Sequence, residues 1–181
     1  MKKFPEIVVD FIFNVINGTK RVRVFFTTLA GTFFTFLVFF TIYAALMLDR
    51  FCNFSRLFTY PWSLVIGLPV ICSGIFVWLW SAWQFLKAKG TPVPFCPPSS
   101  LICTGPYAYV RNPMLDGVFL ILFGIGFLAG SISLVFIFTP LFVFCSVLEF
   151  RFIEEPELEK RLGREYVEYK KRTPMLLPRF C

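Results

Sequence analysis

The reactive side chains of this chain gather in two short stretches. The first, Gly105-Pro106-Tyr107-Ala108-Tyr109-Val110-Arg111-Asn112-Pro113, closes a loop that also holds Gly90, Pro92, Pro94, Pro97 and Pro98. Proline fixes φ and removes a backbone donor, so the loop reads as extended and irregular, whereas a plain linker would be rich in Ser or Lys. The second stretch holds Glu149, Arg151, Glu154, Glu155 and Glu157. Arg151 and Glu155 stand four residues apart, which in a helix puts them on one face. Pro156 pushes the residue before it away from the α region, so the helix is expected to break at Glu154-Glu155 and present carboxylates at a turn. Asp116, three residues past Pro113, suits a helix start, where its charge meets the positive end of the dipole.

The available chemistry is bounded by what the sequence lacks. There is no histidine, so mechanisms that need an imidazole base are excluded. The six cysteines show no C-x-x-C spacing, and without histidine the usual zinc sites do not arise; they read as free thiols. No metal is expected.

The elements that must position these groups follow from composition. The 181 residues are 57% apolar, 20% aromatic and only 16% charged. A soluble domain is about 25% charged and has too little interior to hide so much apolar surface. Disordered chains are poor in aromatics. A water-soluble globule is therefore excluded, and the net charge of +7 reads as cytoplasmic loops of a membrane protein, with no nucleic-acid partner.

Residues 24–48 and 61–86 carry no charge, and each can cross a hydrocarbon core of roughly 30 Å. A third uncharged region, 118–148, is long for one span and short for two. Gly130-Ser131 and Pro140 interrupt it, which predicts a tight hairpin whose first helix starts near Pro113 and is short. Gly126-x-x-x-Gly130 permits close helix contact there. With four spans and both termini inside, every basic residue except Arg50 and Arg56 lies on the inner side; three spans would carry the basic C-terminal segment outside.

The N-terminus does not read as a signal peptide, because Glu6 and Asp10 interrupt it. Ile7, Val8, Phe11, Ile12, Val15 and Ile16 recur at helical spacing and predict an amphipathic helix on the inner membrane surface. Leu158, Leu162, Tyr166 and Tyr169 form a second stripe, which predicts a C-terminal helix folded over the inner end of the bundle. The expected fold is thus an all-α integral membrane protein forming one domain, 1–181. Its parts are an interfacial helix (1–23), two spans (24–86), a cytosolic loop (87–113), a helical hairpin (114–150) and a cytosolic segment (151–181).

These residues carry a resemblance. Gly105-Pro106-Tyr107, Arg111-Asn112-Pro113, Glu154-Glu155-Pro156-Glu157-Leu158, Leu162-Gly163-Arg164-Glu165-Tyr166, Tyr169 and Pro178 resemble the isoprenylcysteine carboxyl methyltransferase family, which belongs with the membrane phospholipid methyltransferases. The likeness covers residues 90–179, about half of the chain. It implies a helical enzyme that binds S-adenosylmethionine on the cytosolic side, releases S-adenosylhomocysteine, and takes a lipid-like or prenylated substrate from the bilayer. The family's cofactor contacts fall on Ser99, Ser100, Leu101, Ile102, Tyr107, Arg111, Asn112, Pro113 and Glu155. Arg151 matches the arginine linked to the methyl acceptor. In the family's Arg-His-Pro-x-Tyr motif this chain has Asn112 for the histidine and Leu115 for the tyrosine. Asn can hydrogen-bond the cofactor but cannot act as a base, and Leu115 removes a ring contact.

The chemistry that the resemblance implies suits these side chains. The faces of Tyr107 and Tyr109 suit a cationic sulfonium. Glu155 suits the cofactor's ammonium or ribose, and Arg151 an acceptor carboxylate. A carboxylate is already ionised at neutral pH and needs no base. An amine or thiol acceptor would need one, from Glu154 or Asp116. Arg151 and Glu154 are therefore the expected catalytic residues. The expected reaction is carboxyl methylation of an isoprenylcysteine-like acceptor. The alternatives are N- or S-methylation of a phospholipid amine or small thiol, a relative that binds cofactor without turnover, and a non-catalytic four-helix membrane protein. The expected location is the inner membrane of a prokaryote or the endoplasmic reticulum of a eukaryote.

Overall fold

The structure, a computed structural model, describes residues 4–88, 90, 91, 95, 98 and 100–176. Among these residues there is no strand. The helices are α1 (Phe4–Ile16), α2 (Lys20–Phe51), α3 (Trp62–Lys87), α4 (Pro113–Ala129), α5 (Thr139–Glu149), α6 (Glu155–Leu162) and α7 (Arg164–Arg172). Gly105–Ala108 forms a 3₁₀ turn. α2, α3 and the continuous helix Leu134–Leu162 are long and apolar enough to cross a membrane. α4 has 17 residues, about 25 Å at 1.5 Å each, and is the short arm expected of the hairpin.

Burial is inverted relative to a soluble protein. Phe36, Phe39 and Phe40 of α2 and Phe76 and Leu79 of α3 are exposed, while Ser81, Ser133 and Thr139 are fully buried. Apolar side chains facing lipid cost nothing, so the interior takes small residues that let helices approach.

The chain forms two compact units. One consists of Phe34–Leu79 and Pro113–Cys145. Here α3 and α4 meet through glycines seven residues apart on each helix. A Cβ on Gly74 would lie 2.7 Å from the Gly117 carbonyl oxygen, and one on Gly117 would lie 2.8 Å from that of Gly74. Gly124 approaches Ile71 and Gly67 approaches Leu128 in the same way. Gly126 of the expected Gly-x-x-x-Gly pair faces Val135 on the return arm, while Gly130 makes the turn. There, at φ +67°, the Gly130 N–H donates to Phe127 O and the Ser131 N–H to Gly126 O, closing a Schellman motif. α2 ends in the same way at Asn53, with the Phe54 N–H on Asp49 O. Ser131 caps the return arm through the Leu134 N–H.

The other unit consists of Met1–Phe33, Trp80–Asn112 and Ser146–Cys181. α1 packs on α6 and on the turn before it. Ile12, Val15 and Phe95 form a core with Phe26 and Ile153 around them, and Lys160 bonds Asp10 at 2.7 Å. The helix is amphipathic as expected, yet Ile7 and Phe11 of the anticipated stripe are exposed while Val9 is buried, because the face toward α6 is the one covered.

The break expected at Glu154-Glu155 does not occur. Phe150–Glu154 is instead a π turn, and the helix continues into α6. Leu134–Phe138 is a second π turn. Each is followed, two residues on, by a proline: Pro140 and Pro156. The N–H before each proline donates five residues back, Thr139 to Leu134 O and Glu155 to Phe150 O. A proline ring collides with the carbonyl four residues earlier and has no N–H to give it; the wider turn relieves both problems without ending the helix. The C-terminal stripe, by contrast, is interrupted. Gly163, at φ +59°, separates α6 from α7.

Candidate functional site

Three segments converge in the second unit: residues 100–112, α6 and α7. At the start of the Gly105–Asn112 stretch, Gly105 takes a left-handed φ of +63°, which strains any residue with a Cβ, and it packs against the Gln84 side chain. The following turn buries Pro106 and Tyr107. The Tyr107 ring packs edge-on against Phe85 at 5.6 Å. Tyr169 of α7 donates its hydroxyl to Tyr107 O at 2.6 Å. Beyond α7 the chain runs back along the loop, where Arg111 N–H bonds Pro174 O and Asn112 N–H bonds Met175 O. The C-terminal segment thus straps the Gly105–Asn112 stretch in place.

The centre of this arrangement is Glu155, whose side chain is 4% exposed. One carboxylate oxygen, Oε1, accepts from Arg111, whose side chain is 11% exposed. The other, Oε2, lies 2.6 Å from Lys170 Nζ, and Lys170 also reaches Glu159 at 2.9 Å. Tyr166, 1% exposed, lies beside the pair. Glu157, also buried, pairs with Arg161 at 2.9 Å, and Arg161 reaches Pro98 O. Buried carboxylates survive only when paired and hydrogen-bonded, and these are.

Burial raises the phenol pKa of Tyr107, Tyr166 and Tyr169 well above the ordinary value; the charge of Glu155 adds to this at Tyr166. Burial alone would lower Lys170, but its bonds to Glu155 and Glu159 outweigh that and hold its ammonium above the ordinary value. These phenols are therefore neutral, and Lys170 stays charged.

Of the residues singled out from sequence, Tyr107, Arg111, Asn112 and Glu155 come together in one unit. Ser100 is exposed, and Leu101 and Ile102 are half-buried on the approach to the loop; Ser99 lies outside the described residues. Pro113 is buried at the start of α4, and Asp116 occupies that helix's first turn. Glu154 ends the π turn beside Glu155. Arg151 is exposed and forms no ion pair among the described residues; Glu155 faces inward to Arg111 instead. The wider π turn between them changes the register that an unbroken α-helix would give. Tyr109 is 62% exposed, so its ring faces outward while that of Tyr107 is enclosed.

Lys170 is the residue that sequence reasoning missed. It stands four places after Tyr166, so the helical period that placed Tyr166 inward places Lys170 on the same face. The Arg111–Glu155 pair spans 44 positions, and no local pattern could have announced it.

Arg111 Nε is buried without a hydrogen-bond partner among the described residues. An orphaned guanidinium donor beside a buried carboxylate that already carries an ammonium is a donor–acceptor set matched to an α-amino acid group: Glu155 for its ammonium and Arg111 for its carboxylate. The amino-acid end of S-adenosylmethionine is such a group, and these residues fit it.

Residues 62–165, from the first residue of α3 into α7, match the model of a family described as phospholipid methyltransferase. No curated protein and no solved structure matches the chain.

Proposed function

The chain belongs to the phospholipid methyltransferase family of membrane methyltransferases, for which S-adenosylmethionine is the implied methyl donor, and from that premise we propose that it methylates the carboxylate of an isoprenylcysteine-like acceptor entering from the bilayer. The observation that carries this reading is the doubly paired, buried Glu155 with the orphaned Arg111 donor beside it.

S-adenosylmethionine supplies an electrophilic methyl group on a sulfonium. Glu155 would hold the donor's ammonium and Arg111 its carboxylate, while Tyr107, Asn112, Ser100, Leu101 and Ile102 would line the remainder. Arg151, exposed next to the exposed Phe152, is free to receive an acceptor carboxylate whose tail lies in lipid. Its two-pronged donor set orients an acceptor oxygen for in-line attack. In such an attack the C–O bond would form as the C–S bond breaks, giving a methyl ester and S-adenosylhomocysteine. No proton moves, which suits a chain without histidine and with Asn112 in the loop. The strap formed by α7 and residues 173–176 keeps water from the donor. With both termini cytoplasmic, this site faces the cytoplasm.

The family description favours a second reading, N-methylation of a phospholipid amine, in which Glu154 accepts the proton that the amine must lose. One experiment separates the two. Purified full-length protein is given methyl-labelled S-adenosylmethionine with prenylcysteine, phosphatidylethanolamine or a small thiol, and its cofactor binding is followed by calorimetry. Base-labile label in prenylcysteine supports the ester reading, and base-stable label in the phospholipid supports the amine reading. Absence of both cofactor binding and label would sink both.

A further inference from the structure

Where α2 ends and the turn between α4 and the return arm passes, the chain forms an open-mouthed hollow of about 380 Å³ that methyl transfer leaves unused. Its floor is the turn at Gly130, and its wall includes Arg50 in the last turn of α2 and Asn53 and Arg56 just beyond. The hollow is built into the fold. The Leu57 N–H donates to Gly130 O at 2.9 Å, and a Cβ on Gly130 would lie only 3.1 Å from Arg56 Cβ, so the arginine stem lies across the turn.

The charge balance of the hollow is one-sided. Asp49 is its acidic residue, and both carboxylate oxygens are committed: Oδ2 accepts from the Ser131 hydroxyl and Oδ1 from the Ser133 N–H at 2.9 Å. Arg50 and Arg56 form no ion pair among the described residues. Two exposed guanidiniums therefore line a polar hollow whose only carboxylate is already engaged. Phe54, one of its lining residues, is exposed, and so is Phe51, the residue after Arg50.

We propose that this hollow binds a phosphate group, that of an anionic phospholipid headgroup, with Arg50 and Arg56 as its ligands. Guanidinium forks match phosphate oxygens in pairs, which an ammonium cannot do. At the end of a spanning helix the abundant anion is lipid phosphate, and the exposed phenylalanines suit the adjoining acyl chains. The residues that line the hollow all belong to the unit that does not contain Arg111 and Glu155, so this lipid is proposed as a structural ligand and not as the methyl acceptor.

The test uses full-length protein, purified in detergent and titrated with phosphatidylglycerol, phosphatidylcholine or inorganic phosphate, with retained ligand read by native mass spectrometry. Phosphatidylglycerol is expected to be retained, with affinity falling about fivefold for each of Arg50→Gln and Arg56→Gln. Arg21→Gln, an exposed arginine at the start of α2, is expected to bind as wild type does. Arg50→Lys/Arg56→Lys keeps the charge and loses the fork, so an intermediate affinity supports paired recognition, while wild-type affinity overturns it. Equal retention by wild type and the double Gln variant overturns the site. Retention of inorganic phosphate without phosphatidylglycerol overturns the lipid as the source.

Discussion

Asp49 and Glu155 are carboxylates satisfied in opposite ways. Asp49 accepts from the Ser133 N–H and the Ser131 hydroxyl, neutral donors fixed by the turn they belong to. Glu155 accepts from Arg111 and Lys170, two cations on long stems from separate segments. Neutral donors rooted in backbone cannot leave without undoing the turn, so Asp49 acts as a helix cap reaching from another helix. Cations on long stems can move without undoing a turn, Lys170 at 37% exposed more readily than the enclosed Arg111. On the proposed reading, the difference separates a carboxylate that builds the fold from one that binds the methyl donor.

The largest expected effect comes from breaking the second arrangement. Glu155→Ala leaves Arg111 buried beside no acid, and a broken buried pair costs about 3–5 kcal/mol. Chemical denaturation should register that loss, and calorimetry should lose the S-adenosylmethionine signal. A variant that binds cofactor like wild type would remove Glu155 from the site. Next comes Gly117→Leu, which forces side-chain atoms into the Gly74 carbonyl and should cost about 1–3 kcal/mol, read as a lower melting temperature. Asp49→Ala should cost about 1–2 kcal/mol as a lost cap while leaving methyl transfer per folded molecule unchanged. If activity falls with it, the contrast between the two carboxylates is too simple.

Lys170→Met should cost less, up to about 1 kcal/mol, because Lys170 is 37% exposed and solvent screens the pair. Its effect should be seen mainly in cofactor affinity. The smallest effect at neutral pH is the titration of the buried phenols. Tyr107, Tyr166 and Tyr169 hold their protons more tightly when folded, so their contribution is complete below the ordinary phenol value of 10.0. Above it the unfolded chain ionises first, and stability falls as pH rises toward the folded values. A melting temperature that does not decline above about pH 10 would contradict this burial.

Much of the fold was legible because membrane burial is written in composition. The charge-free runs at 24–48 and 61–86 became α2 and α3, and Gly130-Ser131 became the hairpin turn. What was misread turned on proline. Pro156 was expected to end a helix, yet a π turn absorbed it, as another did before Pro140. That choice depends on whether continuing the helix is supported by packing, here α1 against α6, and no local window contains that information.

The candidate site divides in the same way. Residue types and local spacing determined by themselves that the chain is helical and suited to a membrane and that no imidazole takes part in whatever chemistry it does, and they marked Gly105–Pro113 and Arg151–Glu157 as the candidate reactive stretches. Only the tertiary structure decided that Glu155 meets Arg111 and Lys170 while Arg151 faces outward. Hydropathy and helical period act over a few turns of chain. The pairing of buried charges is set by which distant segments fold together, where an unpaired charge would cost too much to keep.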